Sequence, residues 1–133
     1  TAAETGHLVM ATLHTVNAAQ TVDRIIDVFP PHQQTQIRVQ LASSLQAIVS
    51  QRLLPNVDGT GRSLAYEVLL NTPAVKNIVR EQKVQQLKST MQSGGQQGMC
   101  TMDACIVRLY HEGAITYDTA MDHVENKKAL SKV

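Results

Sequence analysis

Between His7 and His14 the chain carries a nearly continuous apolar run, Leu8-Val9-Met10-Ala11-Thr12-Leu13. Apolarity without polar alternation predicts a strand covered on both faces, as in the parallel sheet of an α/β fold. One such strand cannot make a sheet alone, so the run needs partners. Just before it, Thr1-Ala2-Ala3-Glu4-Thr5-Gly6 reads as the last turn of a helix stopped by glycine, the way a fragment of a longer chain would start.

After the run the hydrophobic period changes. Asn17 can cap a helix in which Val22, Ile25, Ile26 and Phe29 recur at i, i+3, i+4 and i+7, ended by Pro30-Pro31. A longer helix is predicted next, with Ile37, Leu41, Leu45, Ile48 and Val49 on one stripe, running until Leu54-Pro55. The turn signal Asn56-Val57-Asp58-Gly59-Thr60-Gly61 predicts a β-hairpin between Gln51–Leu54 and Ser63–Leu70. Thr72-Pro73 opens a helix that breaks or bends near Glu81 and resumes through Val84, Leu87 and Met91 until Gly94-Gly95. Thr101 and Thr116 cap two more helices, and the polar tail after Glu125 is expected to fray.

This order predicts an α/β fold in two parts, residues 1–70 and an all-helical 71–133. At 133 residues the chain has room for one or two compact units. With 17% charged residues and a net charge of +1 it lacks the surface of a nucleic-acid-coating protein, and one Phe, three Tyr and no Trp leave few stacking platforms. Cys100 and Cys105 form no paired CxxC set, so neither a disulfide scaffold nor a zinc site is supported, and a reducing cytosol fits best. No apolar run approaches the roughly 20 residues of a membrane span, so direct membrane insertion is not expected.

Few residues carry chemistry by spacing alone. On an extended strand His7 and His14 would lie roughly 23 Å apart and face opposite ways, so they cannot share a metal ion. Ligands gather at the carboxyl ends of strands in open α/β sheets, which singles out His14 with Thr12 and Thr15. Spacing alone favours the plainer reading, ordinary histidines satisfied by backbone hydrogen bonds. Arg24 lies beside Asp23 and Asp27, where an arginine–carboxylate pair is natural. The helix opened by Pro73 sets Val75, Ile78 and Val79 on one face and Ala74, Asn77 and Glu81 on the other. Lys76 and Arg80, of like charge at i and i+4, would face acidic partners, although a solvated helix face is the plainer reading. Met91, Met99, Met102 and the two cysteines read as gap-filling core. Nothing matches GxxxxGK[ST], so nucleotide affinity of this chain alone should be slight.

Longer motifs add a resemblance. The run Glu4-Thr5-Gly6-His7-Leu8-Val9-Met10-Ala11-Thr12-Leu13-His14-Thr15 resembles the histidine box of the secretion and type IV pilus ATPase superfamily. Ala18 to Pro30 and Ser44 to Gln51 look like the segments that follow it there. Ala74-Val75-Lys76-Asn77-Ile78-Val79-Arg80-Glu81 resembles the AIRNLIRE motif of the retraction, or twitching motility, ATPases, and Gly98-Met99-Cys100-Thr101-Met102-Asp103 resembles their GMQTMD-like segment. Val75, Ile78 and Val79 depart from the pattern but keep the apolar face, and Cys100 stands where Gln is common. Lys76 stands where Arg is usual and cannot make a planar bidentate contact.

The resemblance implies that 1–70 is the C-terminal part of a RecA-like P-loop ATPase core and 71–133 a C-terminal helical domain, in a hexameric, cytoplasmic motor. That motor would use ATP and Mg2+, with its P-loop and Walker B parts upstream of Thr1, and act on an inner-membrane platform protein to retract the pilus. It further implies that His14 and His7 act at the phosphates, that Thr12, Thr15 and Arg24 lie near the nucleotide, and that Ala74, Lys76, Asn77, Arg80 and Glu81 form the retraction motif. The alternatives are a non-catalytic oligomerisation or adaptor module, a related pilus-extension or type II secretion ATPase, and a small hydrolase using His and Cys.

Overall fold

The computed structural model describes residues 2–131. A short 3-10 turn, Ala3–Thr5, ends at Gly6 with φ 92°. Residues 7–15 then run without regular structure and without strand partners. The strand expected at 7–14 is therefore not formed. Leu8 is 81% exposed and Met10 88%, which no doubly covered strand could be. The physical reason is the one its apolarity announced: such a strand needs neighbours, and the described residues supply none beside it.

Helix α1, Ala18–Asp27, begins where Asn17 accepts a hydrogen bond from the Gln20 N–H at 2.8 Å, and it buries Val22 and Ile26. Pro31 then serves as the first residue of α2, Pro31–Ser44, where its missing N–H costs nothing. The stripe that predicted helix as far as Leu54 is interrupted, because Ala47–Pro55 is strand β1. Within it Ile48, Ser50 and Leu54 are buried while Val49, Gln51 and Leu53 are exposed, a period of two. Leu45, Ile48 and Val49 satisfy helical spacing locally, but all nine residues of β1 pair antiparallel with strand β2, Arg62–Leu70. The Asn71 side chain stabilises the switch from helix to strand, donating to the Ala42 and Leu45 carbonyls at 2.9 and 2.6 Å at the end of α2.

The hairpin turn closes through Asn56, whose side chain donates to the Thr60 carbonyl, and through Asp58, which accepts from the Thr60 N–H. Thr72 caps α3, Pro73–Arg80, and Val75, Ile78 and Val79 form its buried face. A left-handed Gln82, φ 64°, ends α3, and a 3-10 turn at Val84–Gln86 leads into α4, Leu87–Ser93. The Val68 and Cys100 backbones then exchange two hydrogen bonds. Thr101 and Thr116 cap α5, Met102–His111, and α6, Tyr117–His123. The tail does not simply fray: Lys128–Ser131 forms α7 and buries Leu130. One large apolar side chain in an otherwise polar segment anchors it.

Two hydrophobic cores share the hairpin. The first packs α1 to α4 around Ile48 and Leu69. The second packs α5 to α7 around Leu54 and Ala65. Met91, Met99, Met102 and Cys105 are buried in these cores, filling gaps as flexible side chains do.

Candidate functional site

The histidine-bearing segment lies along the outer side of β1. Thr12 and Thr15 line a groove of about 410 Å³ together with Thr21 and Ile25 of α1 and with Ile48 and Ser50 of β1. His7 lines a second groove, of about 570 Å³, with Leu41, Leu45 and Ala47. The His7 Nδ1 lies 3.1 Å from the Thr5 hydroxyl and 3.3 Å from the Ala2 carbonyl, a local tether that holds the ring beside the 3-10 turn. His14 is exposed and lines neither groove. The structure thus brings Thr12 and Thr15 together and leaves the two histidines apart.

Thr15 is the point where the segment is fastened. Its hydroxyl lies 2.6 Å from that of Thr21, which donates its own proton to the Asn17 carbonyl at 2.9 Å, so Thr15 is the donor. Arg24 is exposed on α1 and forms no ion pair among the described residues, so the expected carboxylate pair is not made. The field of Arg38, from α2, is what reaches Asp23 instead. Burial pushes the Asp23 carboxyl above its ordinary range, Asp27 pushes it further, and Arg38 opposes both. Asp23, Asp27 and Arg38 line an open cleft of about 510 Å³ with Gln34, Gln82 and Gln85.

On α3 the motif residues sort by face. Ala74, Asn77, Arg80 and Glu81 are exposed, and Lys76 is half-buried. Arg80 donates to the Asn77 side chain, and the Glu81 carboxylate lies 3.1 Å from the Lys83 ammonium. Helix α3 packs on α2, which packs on α1.

The sequence reading missed a polar seam between the two cores. Glu67 on β2 is buried, and its two carboxylate oxygens accept from the Ala18 N–H at 2.9 Å and the Met102 N–H at 3.0 Å. Buried Asp103 accepts from the Glu125 and Asn126 N–H groups at 2.8 and 3.0 Å. Lys88 lies 3.7 Å from Asp103 and 3.3 Å from Glu125. The available signal was period two in β2: Glu67 sits between Ala65 and Leu69 on the inward face, where a carboxylate must find donors.

The cysteines are poorly placed for nucleophilic work. Burial pushes the Cys100 thiol up, away from the reactive thiolate. The Cys105 sulfur accepts from the Tyr66 N–H and the Arg108 guanidinium. No imidazole is hydrogen-bonded to either thiol among the described residues.

Comparison with known proteins supplies the context of these features. Over 131 residues the chain is 47% identical to the twitching motility protein of Neisseria gonorrhoeae, covering 98% of this chain and 35% of that protein. Over 122 residues it is 47% identical to the type IV pilus retraction ATPase PilT of Pseudomonas aeruginosa, covering 92% of this chain and 35% of the relative. The chain therefore spans about a third of the length of these curated relatives. The fold matches the crystal structure of the pilus retraction motor PilT with bound ADP at a TM-score of 0.85 and 46% identity, over 98% of this chain and 36% of that one. The α/β class expected from the sequence is thus the observed one. The model of the type II/IV secretion system protein family matches residues 1–95 of the 133, and the chain belongs to that family.

Proposed function

We propose that this chain is the C-terminal part of a hexameric, ATP-driven motor that powers type IV pilus retraction and twitching motility. The observation that carries this reading is the fold likeness to the retraction motor at 46% identity across nearly the whole chain, with the α3 motif on an exposed helix face. In this reading 1–70 belongs to the ATPase core and 71–133 to the output domain, although packing runs across that division, since α3 and α4 share a core with α1 and α2. The motor works in the cytoplasm against an inner-membrane platform protein.

The residues present do not fit a complete nucleotide site. A phosphate cradle needs free N–H groups at a helix start and a lysine that reaches the terminal phosphates. Here the first turns of α1, α3, α5 and α6 are capped by Asn17, Thr72, Thr101 and Thr116, Glu67 takes up the leading N–H of α1 and α5, and the uncapped start of α2 opens on Pro31, which has no N–H to offer. The cradle for ATP and Mg2+ is assigned to the remainder of the parent protein, and this chain alone should not hydrolyse ATP.

What this chain contributes is positioning. His14 and His7 approach the phosphates from the segment before α1, Thr12, Thr15 and Arg24 lie near the nucleotide, and the Thr15–Thr21 hydrogen bond ties that segment to α1. Movement of α1 passes through α2 to α3, whose face bearing Ala74, Lys76, Asn77, Arg80 and Glu81 meets the machinery that removes pilin. In the parent protein, Glu81→Ala should abolish twitching while ATP hydrolysis persists. Normal twitching in that variant would remove Glu81 from coupling, and a parent without GxxxxGK[ST] would sink the motor reading. The missing GxxxxGK[ST] match equally fits a second reading, a non-catalytic oligomerisation or adaptor module, which native mass spectrometry with the platform protein would separate from the first.

A further inference from the structure

Glu67 is 5% exposed and has no cation beside it among the described ion pairs. A carboxylate taken out of water costs several kcal/mol unless its oxygens are hydrogen-bonded. Its two partners are the Ala18 N–H and the Met102 N–H, each the leading N–H of a helix already capped by its own side chain, Asn17 and Thr101. Two helix starts, with their partial positive charge, therefore converge on one anion from positions 49 and 35 residues away in the chain.

Around this point the same elements are tied again. Asn17 donates to Glu125 at 3.1 Å, and Lys88 of α4 bridges Glu125 and Asp103. These outer contacts border a small open cavity of about 70 Å³, which Glu67 also lines, and are partly exposed, so they can yield. The Glu67 bonds cannot yield cheaply. If either helix slid along its axis, a charge-assisted hydrogen bond to a carboxylate only 5% exposed would break, and the small cavity beside it has room for little water to replace it.

We propose that Glu67 is a positioning residue that locks the start of α1, just behind the histidine-bearing segment, to the start of α5. A displacement at α1 is then carried into the C-terminal helices rather than absorbed between the two cores. That this link carries a motor stroke rests on the retraction reading; the link itself does not.

The test is amide hydrogen exchange at Ala18 and Met102, in this chain and in its parent. Thr101→Ala removes the α5 cap, which accepts from the Ala104 N–H at 3.2 Å, without touching Glu67. Loss of such a cap should speed exchange about fivefold at Met102, equivalent to about 1 kcal/mol. If Glu67 locks the helices, Ala18 speeds up with it. In a Glu67→Gln background, which keeps the side chain's shape and one acceptor oxygen, Thr101→Ala should still speed Met102 but no longer Ala18. An Ala18 amide indifferent to Thr101→Ala overturns the lock. So does an Ala18 response that persists with Glu67→Gln, or equal acceleration at every amide including Leu41 in α2, which would mark simple destabilisation. A parent that hydrolyses no ATP while this exchange pattern holds would refute the motor reading and leave the lock standing.

Discussion

Gln82 holds a left-handed backbone, φ 64°, directly after the exposed Glu81. The reason is the way α3 stops: the Lys83 N–H reaches back to the Ile78 carbonyl at 3.0 Å and the Gln82 N–H to Val79 at 3.5 Å, the bond pattern of a Schellman end. That geometry asks for glycine. A residue with a Cβ gives up about 1–2 kcal/mol there, while glycine loses about 0.4–1 kcal/mol more through the freedom of its unfolded chain. The Gln82 side chain is exposed and its backbone bonds survive substitution, so Gln82→Gly should stabilise the protein by about 0.5–1 kcal/mol. With a urea slope of about 2 kcal/mol per molar, the unfolding midpoint should rise by about 0.25–0.5 M at unchanged slope. Gln82→Ala keeps the Cβ and should give no such rise. A glycine variant that unfolds at the same or lower urea, or an alanine variant that matches it, would refute the reasoning.

Gly94→Ala should destabilise by about 1–3 kcal/mol in the same titration, because a Cβ there would lie 3.1 Å from the Thr90 carbonyl and 3.3 Å from the Met99 Cβ and would overlap the tip of that buried side chain. Asp23 holds its proton to higher pH when folded than when unfolded, so the folded state binds more protons between the ordinary value near 3.8 and its raised value, and stability falls as pH rises through that window. Asp23→Asn should flatten that fall, as read from melting temperatures on either side of the window. His14→Ala, at an exposed position, should leave melting within about 0.5 kcal/mol of the native chain and lower ATP turnover in the parent protein; unchanged turnover would count against a role at the phosphates.

The elements most legible in the sequence were those with local causes. Asn17, Thr72, Thr101 and Thr116 each accept the hydrogen bond that their position promised, because capping is settled within a few residues. The Asn56–Gly61 turn and the buried triad Val75, Ile78 and Val79 were readable for the same reason. The stretch 47–50 misled because Leu45, Ile48 and Val49 satisfy two periods at once, and only pairing with Leu70 to Glu67 chooses between them. The histidine-bearing run misled in the opposite sense: its composition describes a strand, and among the described residues no strand pairs with it.

Of the candidate site, the sequence by itself determined which residue types stand beside one another, since a motif such as Ala74 to Glu81 is contiguous and its helical phase follows from its own spacing. It also shows that no stretch of this chain matches the GxxxxGK[ST] phosphate loop. Only the tertiary structure decided that Arg24 makes no ion pair among the described residues while the field of Arg38 reaches Asp23, and that Thr15 fastens its segment to α1. The seam at Glu67 belongs to the fold alone. Its partners, Ala18 and Met102, are 49 residues before it and 35 after it, and a buried carboxylate finds such donors only once two helices and a strand have packed around it.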